Sequence, residues 1–249
     1  MTISTFWEAL ELDAASPPVV AIVGGGGKTS LLFRLGREAR DRGLAAVLTG
    51  TTRFTTPASR TRGTTLLDAA DKRLDAIIEA AGTAVLHAGR EPKGRWTPAT
   101  PAAVDALAAR PGLGLLAIEA DGSKMRPFKA PANHEPVIPD SATHVVAVVG
   151  LRALDASLDG ELVHRPERVR AIVGPKDQAT SEVIARVLSD ERGGRRQVGD
   201  RRFAVLVNQA ELDPARAHGL AQVIRAAGVP RVIVASLNDE ASPIRETLA

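Results

Sequence analysis

Seven short apolar segments alternate with stretches of helical spacing in this chain of 249 residues, and this alternation limits the possible folds most strongly. Runs of Val, Ile, Leu and Ala without polar alternation are typical of strands covered on both faces. The predicted strands are residues 19–23, 45–49, 83–87, 113–119, 144–149, 203–207 and 231–235. The predicted helices are residues 29–42, 66–81, 101–110, 178–190 and 214–227. We therefore predict a single α/β domain with a doubly wound, mainly parallel sheet of about seven strands between two helical layers.

The composition excludes several classes of protein. Lys+Arg exceed Asp+Glu by only 32 to 29, and the basic run at residues 192–202 lacks aromatic side chains, so we expect no nucleic-acid partner. The absence of cysteine excludes disulfides and thiolate metal sites. No apolar run reaches the ~18 residues of a membrane span, and residues 1–13 lack a signal-peptide pattern. We expect a cytoplasmic protein without membrane contact.

A glycine-rich turn lies between the first predicted strand and the first predicted helix. Its residues are Gly24, Gly25, Gly26, Gly27, Lys28, Thr29 and Ser30. Glycines allow the backbone to turn its N–H groups onto a phosphate, and the positive end of the helix dipole adds to this attraction. Lys28 is expected on the β and γ phosphates and the Thr29 hydroxyl on Mg²⁺. The segment predicts a nucleoside triphosphate site, with an ordinary strand-to-helix turn as the alternative.

The loop departs from the standard G-x-x-x-x-G-K-[ST] pattern, because Ile22 occupies the position of the first glycine. It fits a G-G-x-G-K-[ST] variant instead. In this respect the chain resembles the P-loop proteins that include dimerising ATPases and metallocentre-assembly GTPases. Many of those proteins carry a lysine directly before the glycines, where this chain has Val23. The resemblance implies a P-loop NTPase-like fold, and the missing lysine argues against lysine-mediated catalysis across a dimer.

Two carboxylates end the fourth predicted strand. Glu119 and Asp121 are two residues apart, so an extended chain directs both to the same side. We assign Asp121 to the Mg²⁺ shell and Glu119 to orienting water or supporting the site. Residues 49, 51 and 52 are threonines that could reach the γ phosphate or simply cap a turn.

A proline-rich segment at residues 122–140 follows these carboxylates and cannot form a helix. It carries the side chains that we predict for an anionic second substrate or partner: Lys124, Arg126, Lys129 and His134. The alternative is that these groups pair with acidic neighbours and only hold the loop. Arg165 could contact a phosphate, although a surface turn before a helix that starts at Pro166 explains it as well. A second loop, residues 191–200, is rich in glycine and arginine, and we expect a mobile hairpin or connection there.

The segment after the sixth predicted strand indicates a base pocket. Asn208, Gln209 and Glu211 partly match the N-K-x-D signature of GTPases, in which the acidic residue accepts hydrogen bonds from guanine. The end of the last predicted strand, residues 235–237, lies where those GTPases give a backbone N–H to guanine. These partial matches favour GTP over ATP, and ATP stays open because Asn208 can equally bind an adenine edge and Glu211 can lie in a helix start.

Several segments together resemble the YqeC-type proteins, described as accessory factors of selenium-dependent molybdenum hydroxylases. The matching runs are EADGSK (119–124), KAPA (129–132), HEPVIP (134–139), VGL (149–151) and HRPE (164–167), in addition to the glycine loop. The resemblance covers residues 19–208 and implies an NTPase-like protein that acts in maturation of a molybdenum cofactor enzyme. Its partner would be the hydroxylase or a cofactor-maturation protein. A small-molecule kinase using residues 122–140 and a nucleotide-sensing adaptor without turnover remain alternatives.

Overall fold

The computed structural model describes residues 4–53, 64–66, 71–90 and 96–249. The nine strands of its main sheet are β1 (Val19–Gly24), β2 (Ala45–Gly50), β3 (Thr64–Leu66), β4 (Thr83–Leu86), β7 (Leu113–Glu119), β9 (His144–Gly150), β11 (Arg202–Asn208), β12 (Val232–Ala235) and β13 (Ile244–Leu248). Two small two-stranded sheets pair β5 (Gly89–Arg90) with β6 (Trp96–Thr97) and β8 (Phe128–Lys129) with β10 (Val163–His164). The helices are α1 (Phe6–Ala9), α2 (Lys28–Asp41), α3 (Arg73–Glu79), α4 (Pro101–Ala108), α5 (Pro166–Val173), α6 (Ser181–Ser189) and α7 (Pro214–Ala226).

The strand order of the main sheet is β13-β12-β11-β9-β1-β7-β2-β4-β3. All neighbouring strands run parallel except β12 and β13, which are antiparallel. β1 therefore lies at the centre, between β9 and β7, and its carboxyl end lies near the point where the chain changes direction across the sheet. A ligand site is expected at such a position in an open α/β sheet.

Helices cover both faces of the sheet, which gives three layers. Along β1, Val20 and Ile22 pack into the core beneath α1 and α2, while Val19, Ala21 and Val23 pack into the core beneath α4 to α7. This two-sided burial explains why the strand has no polar alternation. The predicted three-layer α/β fold with a mainly parallel sheet is confirmed.

All seven predicted strands are present, and the sheet is larger than predicted because β3 and β13 add to it. The predicted helix at residues 66–81 is wrong at its start: Leu66 ends β3 and α3 begins at Arg73, while residues 67–70 lie outside the described part of the chain. Residues 122–140 contain no helix, as predicted. Within the described ranges, no helix is both long and apolar enough to cross a membrane.

The segment at residues 191–200 differs from the expected mobile hairpin or connection. It forms consecutive hydrogen-bonded turns against the end of α6, where the Gly194 N–H donates to the Val187 carbonyl at 2.8 Å. Val198 is buried, and Arg196 donates to the backbone carbonyls of Asn133 and Glu135. Arg196 thus attaches these turns to the proline-rich loop.

Candidate functional site

The glycine loop, Gly24 to Gly27, joins the carboxyl end of β1 to α2. Gly24 and Gly26 have φ values of +90° and +82°, which side-chain-bearing residues rarely adopt. A Cβ on Gly26 would also lie 2.5 Å from the amide nitrogen of Gly150. These two glycines are therefore required by backbone conformation and by the close approach of a neighbouring strand.

The amino terminus of α2 has no side-chain cap. Its N-cap residue is Gly27, and its first turn contains no acidic residue. By contrast, α4, α6 and α7 have the N-cap residues Thr100, Thr180 and Asp213, each of which accepts a hydrogen bond from its own helix, whereas α3 and α5 have no side-chain cap. The N–H groups in the first turn of a helix have no partner inside the helix, and a terminus of this kind can bind an anion.

Lys28 lies at the start of α2 and is only 4% exposed. Its Nζ donates to the Gly24 carbonyl at 2.8 Å. It also lies 3.6 Å from a Glu119 carboxylate oxygen and 3.5 Å from one of Asp121. The lysine thus occupies the loop itself, and its charge is balanced by the two strand-end carboxylates.

The two carboxylates have different partners. Glu119 accepts a hydrogen bond of 2.7 Å from the Thr29 hydroxyl. Asp121 accepts from the Gly24 N–H at 3.0 and 3.1 Å and lies 2.9 Å from Nζ of Lys129. The structure therefore joins the hydroxyl predicted to bind Mg²⁺ to Glu119, whereas Asp121 supports the loop. These contacts fit an assignment of Glu119 to the metal shell better than our assignment of Asp121.

A buried ion network extends from Asp121 into the proline-rich loop. Lys129 donates to Glu135 at 2.5 Å and to the Gly122 carbonyl at 2.6 Å, and its side chain is 1% exposed. Arg165 binds the two oxygens of Glu135 at 2.7 and 3.1 Å. Burial alone raises the pKa of Glu135, but hydrogen bonds from Arg165 and Lys129 outweigh it and lower the pKa from 4.5 to about 2. Glu135 therefore stays ionised between two cations.

The structure does not bring the four predicted substrate-binding side chains together. Lys129 is occupied in the buried network, and the guanidinium of Arg126 donates to the Val163 carbonyl. The side chains of Lys124 and His134 are exposed. Lys129 and Arg126 thus follow the alternative in which charged groups hold the loop. Arg165, for which the sequence left a phosphate contact and a surface turn before Pro166 open, pairs with Glu135 in this network.

The proline-rich loop packs directly against the glycine loop. The Gly150 N–H donates to the Pro127 carbonyl at 2.9 Å. A Cβ on Gly25 would lie 2.3 Å from the carbonyl oxygen of Arg126, so only glycine allows this approach. Both loops therefore share one backbone interface, which their separation in the sequence does not reveal.

Asn208 and Glu211, the predicted base-binding residues, have different surroundings. The Asn208 side chain donates to the Gly26 carbonyl at 2.7 Å and accepts from the Leu237 N–H at 3.0 Å. It is 6% exposed and connects the glycine loop to the end of β12. Glu211 lies exposed in a short 3-10 turn, Ala210–Leu212. The asparagine holds the loop, as it does in the GTPase signature, but both ends of its amide are already bonded.

The threonines at the end of β2 also have defined partners. The hydroxyl of Thr49 donates to the Leu86 carbonyl and that of Thr51 to the Val137 carbonyl, at 2.9 and 2.6 Å. The Thr52 hydroxyl is buried without a hydrogen bond to any described residue. Two of the three threonines thus hold neighbouring chain segments. The described residues contain no cluster of three or more His, Asp or Glu side chains suited to a metal ion.

Comparison with known proteins gives the family. A family model described as "YqeC protein" matches residues 20–167, which include the glycine loop, Glu119 and the whole proline-rich loop. A protein from Escherichia coli (strain K12) named "Uncharacterized protein YqeC" is 37% identical over 185 residues, which is 72% of this chain and 72% of that protein. The chain belongs to the YqeC family.

Proposed function

We propose that the glycine loop binds a nucleoside triphosphate with Mg²⁺ and that the protein hydrolyses it. The observation that carries this proposal is the amino terminus of α2, which has no side-chain cap and combines the glycine loop with Lys28 and Thr29. Four other helices, α1, α4, α6 and α7, have a Thr or Asp cap at this position, whereas α3 and α5 have no side-chain cap and do not follow a glycine loop. A bound phosphate would supply the acceptor oxygens that α2 lacks.

Lys28 is suited to the β and γ phosphates because it already lies over the loop. In the absence of a ligand its ammonium group has the Gly24 carbonyl and two carboxylates as partners. Phosphate oxygens would replace the carbonyl contact with charge-assisted hydrogen bonds, which are about twice as strong as neutral ones. The lysine then neutralises charge that develops on the phosphoryl oxygens.

Thr29 and Glu119 fit a magnesium site. Mg²⁺ is usually held by one or two protein oxygen ligands together with substrate phosphates and water, so a small donor set is sufficient. Thr29 would be the direct ligand, and Glu119, at 2.7 Å from its hydroxyl, would hold that hydroxyl or a magnesium-bound water. When bound, the ion would neutralise part of the phosphate charge. Asp121 keeps the loop in shape through the Gly24 N–H.

The choice between GTP and ATP rests on Asn208 and Glu211. Because the Asn208 amide is bonded at both ends, it supports the loop first, and a contact to the base would need one bond to be exchanged. Glu211 remains suited to guanine recognition because it is exposed beside this strand end. We retain guanine as the preferred base, with adenine as the competitor. A titration of each triphosphate against the other, repeated with Glu211→Ala, decides between them.

We further propose that turnover serves the maturation of a molybdenum hydroxylase in the cytoplasm. This step rests on the resemblance to YqeC-type proteins and on membership of that family. A ligand bound at the glycine loop would affect the proline-rich loop, because the two loops pack against each other. Its exposed side chains, Lys124 and His134, are available to an anionic molecule or to a protein partner.

Product analysis tests this function. The protein is incubated with Mg²⁺ and either triphosphate, alone and with a molybdenum hydroxylase, and released phosphate and phosphorylated products are identified by mass spectrometry. We expect release of inorganic phosphate that Glu119→Gln strongly reduces. A phosphorylated acceptor would instead indicate a kinase, and tight binding without turnover in either condition would indicate an adaptor. If the protein binds neither triphosphate, the proposal is overturned.

A further inference from the structure

A cavity lies at the edge of the sheet opposite to the glycine loop, at the amino ends of β9, β11 and β12. It has a volume of about 310 Å³ and contains Glu11, His144 and residues 201–204 in its wall. β9 and β11 each begin here and end beside the glycine loop. At the ~3.3 Å rise of each residue in a strand, the two sites are about 20 Å apart. The cavity is therefore separate from the proposed nucleotide site.

Arginine side chains dominate the charge of this cavity. Its lining residues include Arg195, Arg201, Arg202 and Arg231, with Glu11 as the one carboxylate among them. Glu11 is shared, because it pairs with both Arg202 and Arg231. Nitrogens of Arg201 donate to several backbone carbonyls, including those of Ala142 and Val198. The wall thus carries a clear excess of positive charge.

Some of these arginines have unused donors. Arg195 donates through Nε to Glu191 at 3.3 Å, and its guanidinium carbon lies 5.3 Å from the centre of the Phe203 ring. Arg202 uses only Nη1, in contacts with Glu11. Among the described residues, the remaining guanidinium nitrogens of Arg195 and Arg202 have no hydrogen-bond acceptor. Planar guanidinium groups with free N–H donors suit the paired oxygens of a phosphate or carboxylate.

A buried polar atom in the same wall also lacks a partner. His144 is 8% exposed, and its Nδ1 lies 2.8 Å from the Thr143 hydroxyl. Its Nε2 is buried and has no hydrogen bond within the described part of the chain. Buried polar groups are normally satisfied, so a ring nitrogen left unpaired beside several arginines indicates that a ligand completes this site.

We propose that this cavity binds a small phosphate-bearing anion, with Arg195 and Arg202 on its oxygens and Nε2 of His144 as a further hydrogen-bond partner. The volume suits a small metabolite, since ligand pockets begin at about 300 Å³. Glu11 acts as an internal counter-ion that the bound anion replaces on Arg202. The site is independent of the proposed nucleotide site.

The surroundings of His144 predict how binding depends on pH. Burial and, to a smaller extent, the charge of Arg202 lower the pKa of its imidazole to about 4, and Glu11 opposes this shift. The other charged groups in the wall are Arg195, Arg201 and Arg231. An anion reverses this balance and raises the pKa of His144. Anion affinity therefore increases as the pH falls, because protonation of the ring and anion binding favour each other.

Inorganic phosphate is the first probe, titrated at constant ionic strength with chloride as the balancing anion. The Lys28→Ala background removes binding at the glycine loop, and the imidazole NMR signals of His144, assigned with His144→Gln, report the cavity directly. We expect saturable shifts of these signals and at least about a tenfold loss of affinity in Arg202→Gln and in Arg195→Gln. Arg216→Gln is the matched control, because Arg216 pairs with Asp155 away from the cavity.

Sulfate is the second probe, because its charge is constant between pH 7 and pH 5. The affinity for sulfate should increase from pH 7 to pH 5 in the native protein, but it should not increase in His144→Gln. Unchanged His144 signals at saturating phosphate, or equal phosphate affinities in Arg202→Gln, Arg195→Gln and Arg216→Gln, would overturn the proposal. Thermal unfolding of each variant checks that the fold is retained.

Discussion

The glycine loop and the proline-rich loop meet at Asp121, but they differ in how many charged side chains they have and in how those side chains are paired. The glycine loop has almost no side chains, and it leaves the first-turn N–H groups of α2 uncapped beside Lys28. The proline-rich loop has many charged side chains, yet Lys129 and Glu135 pair with each other in its interior. We infer that the loop with fewer charged groups is the one that binds an anion.

This comparison shows that the number of charges in a segment does not measure its capacity to bind a ligand. A buried cation that already has several partners must break contacts before it can bind anything else, whereas a helix terminus without a side-chain cap has no capping hydrogen bond to lose. We infer that the proline-rich loop is a rigid support whose buried ions hold the glycine loop from one side. The following predictions test that division of roles.

The largest expected effect is the loss of stability when the buried network is broken. Lys129→Ala leaves Asp121 and Glu135 without their shared cation, and breaking a buried pair from one side costs about 3–5 kcal/mol. Lys124→Ala changes an exposed lysine of the same loop and should alter the free energy of unfolding by no more than about 0.5 kcal/mol. Urea denaturation of both variants measures the difference. Similar midpoints would show that the network does not support the fold.

A smaller loss of stability is expected in acid. The folded pKa of Glu135 is about 2 and its ordinary value is 4.5, so its contribution is complete above pH 4.5 and is lost as the pH falls toward 2. Burial, followed by the charges of Arg165, Lys129 and Lys124, lowers the pKa of His164 to about 4. Because the unfolded chain then binds protons first, stability also decreases between pH 6.5 and pH 4.

Two substitutions distinguish the loss of stability below pH 4.5 from the loss between pH 6.5 and pH 4. Glu135→Gln should make the decrease below pH 4.5 less steep, and His164→Gln should reduce the decrease between pH 6.5 and pH 4. Thermal unfolding midpoints measured across this range provide the comparison. A Glu135→Gln variant that loses stability below pH 4.5 as steeply as the native protein would contradict the proposed ionisation of Glu135.

The third prediction concerns the two strand-end carboxylates. Glu119→Gln should raise the Mg²⁺ concentration needed for triphosphate binding by about tenfold, because outer-shell partners of a metal contribute roughly tenfold to hundredfold. Asp121→Asn should weaken triphosphate binding at every Mg²⁺ concentration, since it weakens the hold on the Gly24 N–H. Mg²⁺ titrations of both variants test the assignment. The reverse pattern would restore Asp121 as the metal partner.

The smallest effect is expected from the exposed cations. Lys124→Ala and His134→Ala should change triphosphate affinity by less than about threefold, because exposed charges are screened by solvent and salt. The same variants should weaken binding of an anionic partner if one uses this loop. A large loss of triphosphate affinity in either variant would mean that the loop closes over the phosphates.

The sequence predicts the strands well because most of them are continuously apolar and buried on both faces. β13 was missed since only Ile244 in it is buried, while its other side chains are partly or fully exposed, as at an antiparallel edge. The sequence does not predict the short β3, which has only three residues and whose last residue, Leu66, begins the segment with helical spacing. These errors occur where local pattern and tertiary position disagree.

The candidate site was predictable to the extent that it depends on adjacent residues. Gly24 to Thr29 follow from their order in the chain, and the alternation along β7 places Glu119 and Asp121 on one side. The partners of those carboxylates were not predictable, because Lys129 and Thr29 reach them across a folded interface. For the same reason, the contact between Glu135 and Arg165 could not be derived from spacing.

The central claim is that Lys28 and the uncapped helix bind a triphosphate, and calorimetric titration tests it most directly. Mg²⁺ complexes of GTP and ATP are titrated into the native protein, Lys28→Ala, Lys28→Gln and the control Lys124→Ala, with thermal unfolding to verify the fold. We predict saturable binding of at least one triphosphate, a loss of at least about tenfold in both Lys28 variants and a near-native affinity in the control. Equal affinities in folded Lys28 variants and the native protein, or no binding to the native protein, would contradict the account.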